Sequence, residues 1–432
     1  MRAAILVLIL ALPALGGCIG GEPSDDGVAD LADDAALPTF GAVYAFPNPS
    51  FPVQFGTTCA EKTDGDVSCG LDEPSVVVDA RGYVYYTAAC CFLVSSPVWV
   101  TRDAGVTFES LPHPLKDVYG NEGDLAVDDE GNVYYMDIDL VTFGIAAWDA
   151  EGTPMHAYRR PGELLVDRPW IRAGQGGAVH AVYNTGSTTV YYRSTDHAET
   201  FSPLSVATFP SALANAYSDV RRDIVGMVGY GEYMESTDAG ATWSDVLAID
   251  GCEDADGGGM NQESAAVDEA GTVWFQRTGC VVGRLSDGTW TPSSEAIPAD
   301  LEPYFTWVAA GAAGGVAVAF YGRAADAEAA AAWGLEEDTW YAFVSFTGNA
   351  GQADTAWTTL LVDEDPVGHG SLGRRLGDFL SVAIGPDGSI HVAYASNPEM
   401  DDSATASYRG TTPISALAPW QALVGPFAGT VR

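Results

Sequence analysis

The sequence holds almost no lysine. Only Lys62 and Lys116 occur in 432 residues, and Lys and Arg together number 19 against 59 Asp and Glu, for a formal net charge of -40. So acidic a chain repels phosphate backbones and anionic bilayers, which excludes nucleic acid and charged membrane surfaces as partners. Long apolar runs are also missing. The one continuous run, residues 3–15, is too short for a membrane span. No Gly-x-Ser-x-Gly occurs, and the six histidines are scattered, so no serine-hydrolase motif can be assembled. The cysteines do not follow zinc-site spacing. The acidic clusters at 64–73 and 250–256 lack the ordered ligand spacing of a calcium loop, so they read as solvated loops. No cofactor is indicated, and calcium is the one ion left open.

What is present is repetition. The phrase Thr101-Arg102-Asp103-Ala104-Gly105-Val106-Thr107-Phe108 returns at residues 194–201 and 236–243, without its Gly in the middle copy. Weaker copies surround Asp149 and Asp287. The five aspartates, at 103, 149, 196, 238 and 287, are 46, 47, 42 and 49 residues apart. Asp can accept hydrogen bonds from its own turn, Gly can take positive φ, and Thr with an aromatic suits the start of a strand. Each copy therefore reads as a hairpin tip. Asp103, Gly105, Asp196, Asp238, Gly240 and Trp243 have structural roles in it.

A second hairpin type interleaves with the first. It is an apolar strand, a Gly-containing turn and an aromatic-rich strand, at 75–87, 124–137, 170–184, 264–276, 305–321 and 379–395. A degenerate copy lies at 223–230. Pairing the two hairpin types gives a four-stranded antiparallel unit of about 45 residues, the dimension of a propeller blade. The expected fold is an all-β propeller with seven blades favoured and six as the alternative. Residues 40–55 are expected to supply a closing strand to the last blade, beside 404–409 and 420–424. An Ala- and acid-rich insertion around 324–338 reads as a short helix or an exposed loop.

Ahead of the propeller, which is taken as residues 37–432, residues 1–17 read as a signal peptide. They end in Leu15-Gly16-Gly17-Cys18, which resembles the lipobox of prokaryotic lipoproteins. The resemblance implies cleavage before Cys18, lipidation of that residue and anchorage to the outer face of a membrane. Residues 18–36 are acidic, lack any basic residue and read as a flexible tether. The other six cysteines are even in number, which outside the cell favours disulfides. Cys252 and Cys280 bracket one hairpin and are paired. Cys59, Cys69, Cys90 and Cys91 are expected to pair among themselves, in an order left open. The acidic surface resembles that of proteins from salt-loving organisms and points to a saline or archaeal setting.

Aligned by phase, the residues entering each hairpin occupy one level. They are Glu73, Glu122 with Asp124, Asp167 with Arg168, Arg221 with Arg222, Glu263, Glu302, and Arg375 with Asp378. In a propeller that level faces the mouth of the central channel. Asp167, Arg168, Trp170, Arg222, Glu263, Arg375 and Asp378 are the expected ligand-binding set. Arginines among carboxylates suit an anionic ligand group, or equally hold blades together.

The hydroxyl-x-Asp-x-Gly-x-Thr-aromatic phrase resembles the Asp-box, or BNR repeat, of sialidases and sialidase-like propellers. That resemblance implies the fold strongly and the activity weakly. A sialidase would use three arginines, a Tyr–Glu pair and an Asp acid/base. The resemblance offers Arg168, Arg375 and either Arg221 or Arg222 as arginines, Glu263 beside a tyrosine, and Asp124 as the acid. The Arg-Ile-Pro phrase of such enzymes is missing, and seven blades depart from their six. The favoured function is therefore a monomeric surface module that binds a glycan or an extracellular protein at the mouth. The alternative is an exo-acting, sialidase-like glycoside hydrolase.

Overall fold

The computed structural model describes residues 72–396 apart from 90–95, 104–106, 116–121, 140–141, 162–165, 187, 211–213, 253–262, 371 and 373–378. It also describes the strands Tyr44–Ala45, Ser50–Pro52, Ala60–Glu61, Asp66–Ser68 and Ala416–Trp420. Cys18, Cys59, Cys69, Cys90, Cys91, Gly105, Arg375 and Asp378 lie outside the described residues.

Alternating apolar residues and Gly-containing turns fold the chain into successive antiparallel sheets. Six have four strands, and one has a fifth strand, Gly368–His369, paired to Thr339–Thr347. The first strand of each is innermost: Asp72–Val78, Glu122–Val127, Val166–Ala173, Asn215–Asp219, Ser264–Val267, Leu301–Ala310 and Ser381–Ile384. We number the sheets as blades 1 to 7 in that order. Each innermost strand touches the next, and that of blade 7 returns to blade 1, so the ring closes as a β-propeller. Side chains stitch neighbouring strands at mid-height. Ser75 Oγ donates to Asp124 at 2.7 Å, Val76 N to Ser381 Oγ at 3.2 Å, and Val308 N to Ser264 Oγ at 3.0 Å.

Blade 7 is built from both ends of the propeller. Ile390–Tyr394 pairs with Ala416–Trp420, which pairs with Tyr44–Ala45. The 40–55 segment thus closes the ring with two of its residues. The expected neighbours at 404–409 lie outside the described residues. Ser50–Pro52, Asp66–Ser68 and Ala60–Glu61 form a small three-stranded sheet that no repeat in the sequence marks.

Blade 4 departs from the sequence pattern. Residues 223–230 read by phase as a whole degenerate hairpin. In fact Ile224–Gly229 is only the second strand of blade 4, and its first is Asn215–Asp219. The pattern misleads because Gly226 sits where an aromatic is expected. A Cβ there would lie 2.1 Å from the Tyr217 ring, so the cross-strand tyrosine fills that space instead.

The insertion forms the helix Ala327–Trp333 between the second and third strands of blade 6. Asp326 caps it by accepting from Ala329 N at 2.9 Å, and Gly334 ends it in the left-handed region. Between blades, the core is made of buried aromatics and β-branched residues, with Tyr85, Tyr134, Tyr183, Tyr217 and Trp148 fully buried.

Candidate functional site

The two ends of the innermost strands form two different faces. At the end of each first strand the chain turns tightly into the second. Here carboxylates are saturated. Asp268 accepts from Ala270 N, Thr272 N, Trp274 Nε1 and, across to blade 6, Gly314 N, all at 2.9–3.0 Å. Asp128 accepts from Glu130 N, Asn132 N and Nδ2, and the Tyr134 hydroxyl.

The repeated Asp phrase joins this same face. Asp103, Asp196 and Asp238 each accept from the hydroxyl two residues earlier and from the N and Oγ1 of the Thr four residues later, at 2.6–2.9 Å. These bonds hold the Asp238 carboxyl down at about 2. His197–Ala198 and Ala239–Gly240 occupy the same left-handed pair of positions, so the middle copy keeps the geometry without its Gly. Gly240 is required by space: a Cβ would meet the Tyr191 hydroxyl at 1.7 Å. Trp243 packs against Tyr191 with ring centroids 4.7 Å apart. A further copy, disguised in the sequence, lies at Thr347-Gly348-Asn349-Ala350-Gly351. There Thr347 Oγ1 donates to Asn349 at 2.8 Å and Ala350 N to Gly314 O at 3.0 Å. Asn for Asp, and extra residues before Trp357, hide it.

Arg221 and Arg222 belong to this turn face and not to the mouth. Both pair with Asp219, and Arg222 Nη2 donates to Glu269 O at 2.6 Å in the next blade. Misphasing of the fourth hairpin puts them one strand end too far along.

The opposite face carries the mouth. Here the innermost strands of blades 1, 3 and 6 are bulged, with register shifts at Asp72/Ser75, Asp167/Trp170 and Tyr304/Thr306. Each bulge holds a non-glycine residue at positive φ: Glu73 at 48°, Arg168 at 51° and Phe305 at 47°. Such backbone costs about 1–3 kcal/mol per residue and persists where the surroundings fix it. Glu122, itself buried, fixes the second by accepting from Arg168 N at 3.0 Å.

Asp124 is also committed. It accepts from the Ser75 hydroxyl, from Ile171 N at 3.1 Å and from the Arg172 guanidinium. Asp124, the acid the resemblance offers, is thus bonded to three partners and buried. Glu263 clamps a neighbouring turn: both its oxygens accept from Gly231 N, at 2.8 and 2.7 Å, and Arg277 Nε lies at 3.1 Å. Burial raises its pKa against the opposing pull of Gly231 N–H and Arg277. Arg168 is buried, with Asp167 Oδ2 at 3.9 Å, and Asp167 itself is exposed. Glu302 is exposed and pairs with Arg323, which also pairs with Asp338.

Under these residues the channel is filled. Trp170 of blade 3, Trp307 of blade 6 and Phe379 at the entrance to blade 7 converge, with ring centroids 5.2–5.8 Å apart. Trp170 Nε1 donates to Ala214 O at 2.8 Å, which fixes the floor to blade 4. Trp307 keeps the most exposure, 8% against 1% and 3% for the others. Aromatics continue toward the rim of blade 6 through Phe305, Tyr304 and Trp340, with the Arg323 guanidinium 4.8 Å over the Trp340 ring. Of the expected set, the structure brings Asp167, Arg168, Trp170 and Glu263 to the mouth face. It adds Trp307, Phe379, Tyr304, Trp340 and Arg323, which read in the sequence only as strand residues.

Among the described residues, no group of three or more His, Cys, Asp and Glu is placed to hold a metal ion. Cys252 and Cys280 form the expected disulfide.

No protein-family model matches the chain, and no curated protein matches it. Solved structures do. A chain of the mitotic checkpoint complex aligns over 96% of this chain and 99% of its own at 9% identity, with a TM-score of 0.49. A Hadza microbial sialidase aligns over 82% and 66% at 12% identity, with a TM-score of 0.41. The GH93 α-L-arabinofuranosidase of Fusarium graminearum aligns over 87% and 97% at 13% identity, with a TM-score of 0.42.

Proposed function

We propose that this chain is a lipid-anchored surface propeller that binds glycan at its mouth without cleaving it. The observation that carries the reading is the aromatic floor, to which blades 3, 6 and 7 each contribute one ring beneath a rim of charged residues. An aromatic ring offers a sugar contact area at low entropic cost, here through Trp307, the least buried of the three, and the surrounding charged and polar groups can meet its hydroxyls.

Binding is favoured over hydrolysis because the buried mouth carboxylates are already employed. A retaining glycosidase needs two carboxyl groups about 5 Å apart and directed at the substrate. Glu122, Asp124 and Glu263 instead accept hydrogen bonds from backbone and from arginines of neighbouring blades. A grip of three arginines is not assembled from Arg168, Arg221 and Arg222, since the last two lie on the turn face.

The test is an immobilised glycan panel at molar salt, run beside fluorogenic sialosides and neutral glycosides. Retention without turnover is expected, weakened in Trp307→Phe. Turnover that disappears in Arg168→Lys would establish the hydrolase reading instead. Anchorage is tested separately: Cys18→Ser should move the protein from the detergent phase to the aqueous phase.

A further inference from the structure

Tyr230 is 63% exposed, more than any other large apolar side chain described. It lies in the two-residue turn between Gly229 and Glu232, on the mouth face of blade 4. Tyr230 has φ 57° and Gly231 φ 75°. Two consecutive positive φ values make this a type I′ turn, whose first central position suits Asn, Asp or Gly. A bulky aromatic there is strained. Blade 5 has the same turn at Thr278–Gly279, with φ 48° and 92°, but there the side chain is half-buried. Among the described residues the Tyr230 side chain makes no hydrogen bond, ion pair or ring contact. The chain therefore holds a strained aromatic largely in water.

The turn beneath it is held firmly. Glu263 grips Gly231 N with both oxygens, and Gly231 O accepts from Ile249 N at 2.8 Å. Arg277 bonds Glu263 and also donates to Cys252 O at 3.4 Å, beside the Cys252–Cys280 disulfide. A small cleft lined by Gly231, Ile249, Cys252, Phe275, Gln276 and Arg277 begins at the residue that follows Tyr230. The carboxylates of Glu232 and Asp250 are exposed beside the turn.

We infer that Tyr230 is a stacking platform for a neutral pyranose ring at the edge of the cleft between blades 4 and 5. This inference rests on the glycan-binding reading and adds a place and a sugar class to it. The phenol ring would cover the C–H face of the sugar, and Glu232 and Asp250 would accept from its hydroxyls. A surface of net charge -40 disfavours sialic or uronic acids at this place. A pinned turn fixes the backbone that carries the ring, so little backbone freedom is lost on binding.

The full-length protein in detergent micelles is applied at molar salt to immobilised neutral and sialylated oligosaccharides. The wild type should be retained on a neutral sugar. Tyr230→Asn should weaken retention at least tenfold while raising Tm, because Asn relieves the strained turn; Tyr230→Trp should keep retention. A packing role would give the opposite sign, a lower Tm, and would overturn the inference. If Tyr230→Asn binds a neutral sugar as the wild type does, the platform is wrong and glycan binding stands. Retention on sialylated glycans alone overturns the sugar class. Retention on nothing overturns both readings.

Discussion

The two faces of the ring follow different rules. On the turn face, Asp79, Asp128, Asp219 and Asp268 are buried carboxylates, each matched to donors within a few residues or in the adjoining blade. Repetition suffices to build it. On the mouth face, Glu73, Arg168, Tyr230 and Phe305 hold positive φ without being glycine, and aromatics from distant blades meet over the channel. Both faces hold non-glycine residues at positive φ, but on the turn face His197, Ala198 and Ala239 do so inside the repeated Asp turn, whose bonds are local, whereas at the mouth the Arg168 bulge is held by Glu122 of another blade. Strain of that kind gathers at sites of function.

The largest effect is expected at the floor. Trp170→Ala should destabilise the protein by about 4–5 kcal/mol, since it leaves a large cavity and removes the shorter of two bonds to the Ala214 carbonyl, keeping only that from Asn184 Nδ2. Denaturant unfolding measures it, and a cost below ~1 kcal/mol would mean the floor is not packed. Asp268→Ala comes next, at about 3–4 kcal/mol, because four donors lose one acceptor. The exposed mouth carboxylate Glu302, changed to Ala, should cost under ~1 kcal/mol. Equal losses for the two carboxylates would erase the distinction between the faces. Reduction of Cys252–Cys280, which closes a separation of 28 residues, should cost about 3 kcal/mol, because the freed unfolded chain regains the conformations the bond denied it. Thermal melts with and without reductant read it.

The smaller effects concern pH. Burial lowers His113 and His391 to about 4 and His180 to about 3. Between those values and 6.5 the unfolded chain binds more protons than the folded one. Stability is therefore full above about pH 6.5 and falls as pH drops toward about 4. His391→Gln should flatten that slope in unfolding midpoints measured across the window; an unchanged slope would mean that His391 titrates freely. The Asp238 effect has the other origin. Its folded pKa of about 2 lies below the ordinary 3.8, so its stabilisation is present above about pH 4 and is lost as pH falls through about 2. A carboxyl carbon NMR midpoint near 2 is expected, and one near the ordinary 3.8 would show the Asp238 clamp to be open in solution.

Much of the ring is legible in the sequence because propellers repeat. The spacing of Asp103, Asp196, Asp238 and Asp287 and the phased hairpins place the blades, and the ends of the chain close them. Legibility fails where the repeat degenerates. Gly226 in place of an aromatic shifts the fourth hairpin and carries Arg221 and Arg222 to the wrong face. The mouth is only partly legible. Phase alone finds Asp167, Arg168 and Trp170, and with them Glu73, Glu122, Asp124, Glu263 and Glu302. Trp307 and Phe379 read as ordinary strand residues, since nothing in their own hairpins tells that they meet Trp170.

The scarcity of lysine and arginine determined the net charge of -40. The period of the Asp phrase determined the blade, and Cys252 and Cys280 determined their own bond. These are properties of composition and of neighbours in the chain, so they can be read in one dimension. The floor, the bulges, the clamping of Asp124 and Glu263, and the exposure of Tyr230 were decided only when the ring closed. Closure brings strands distant in sequence to one axis, and which side chains are buried, strained or free there depends on partners the local sequence does not name.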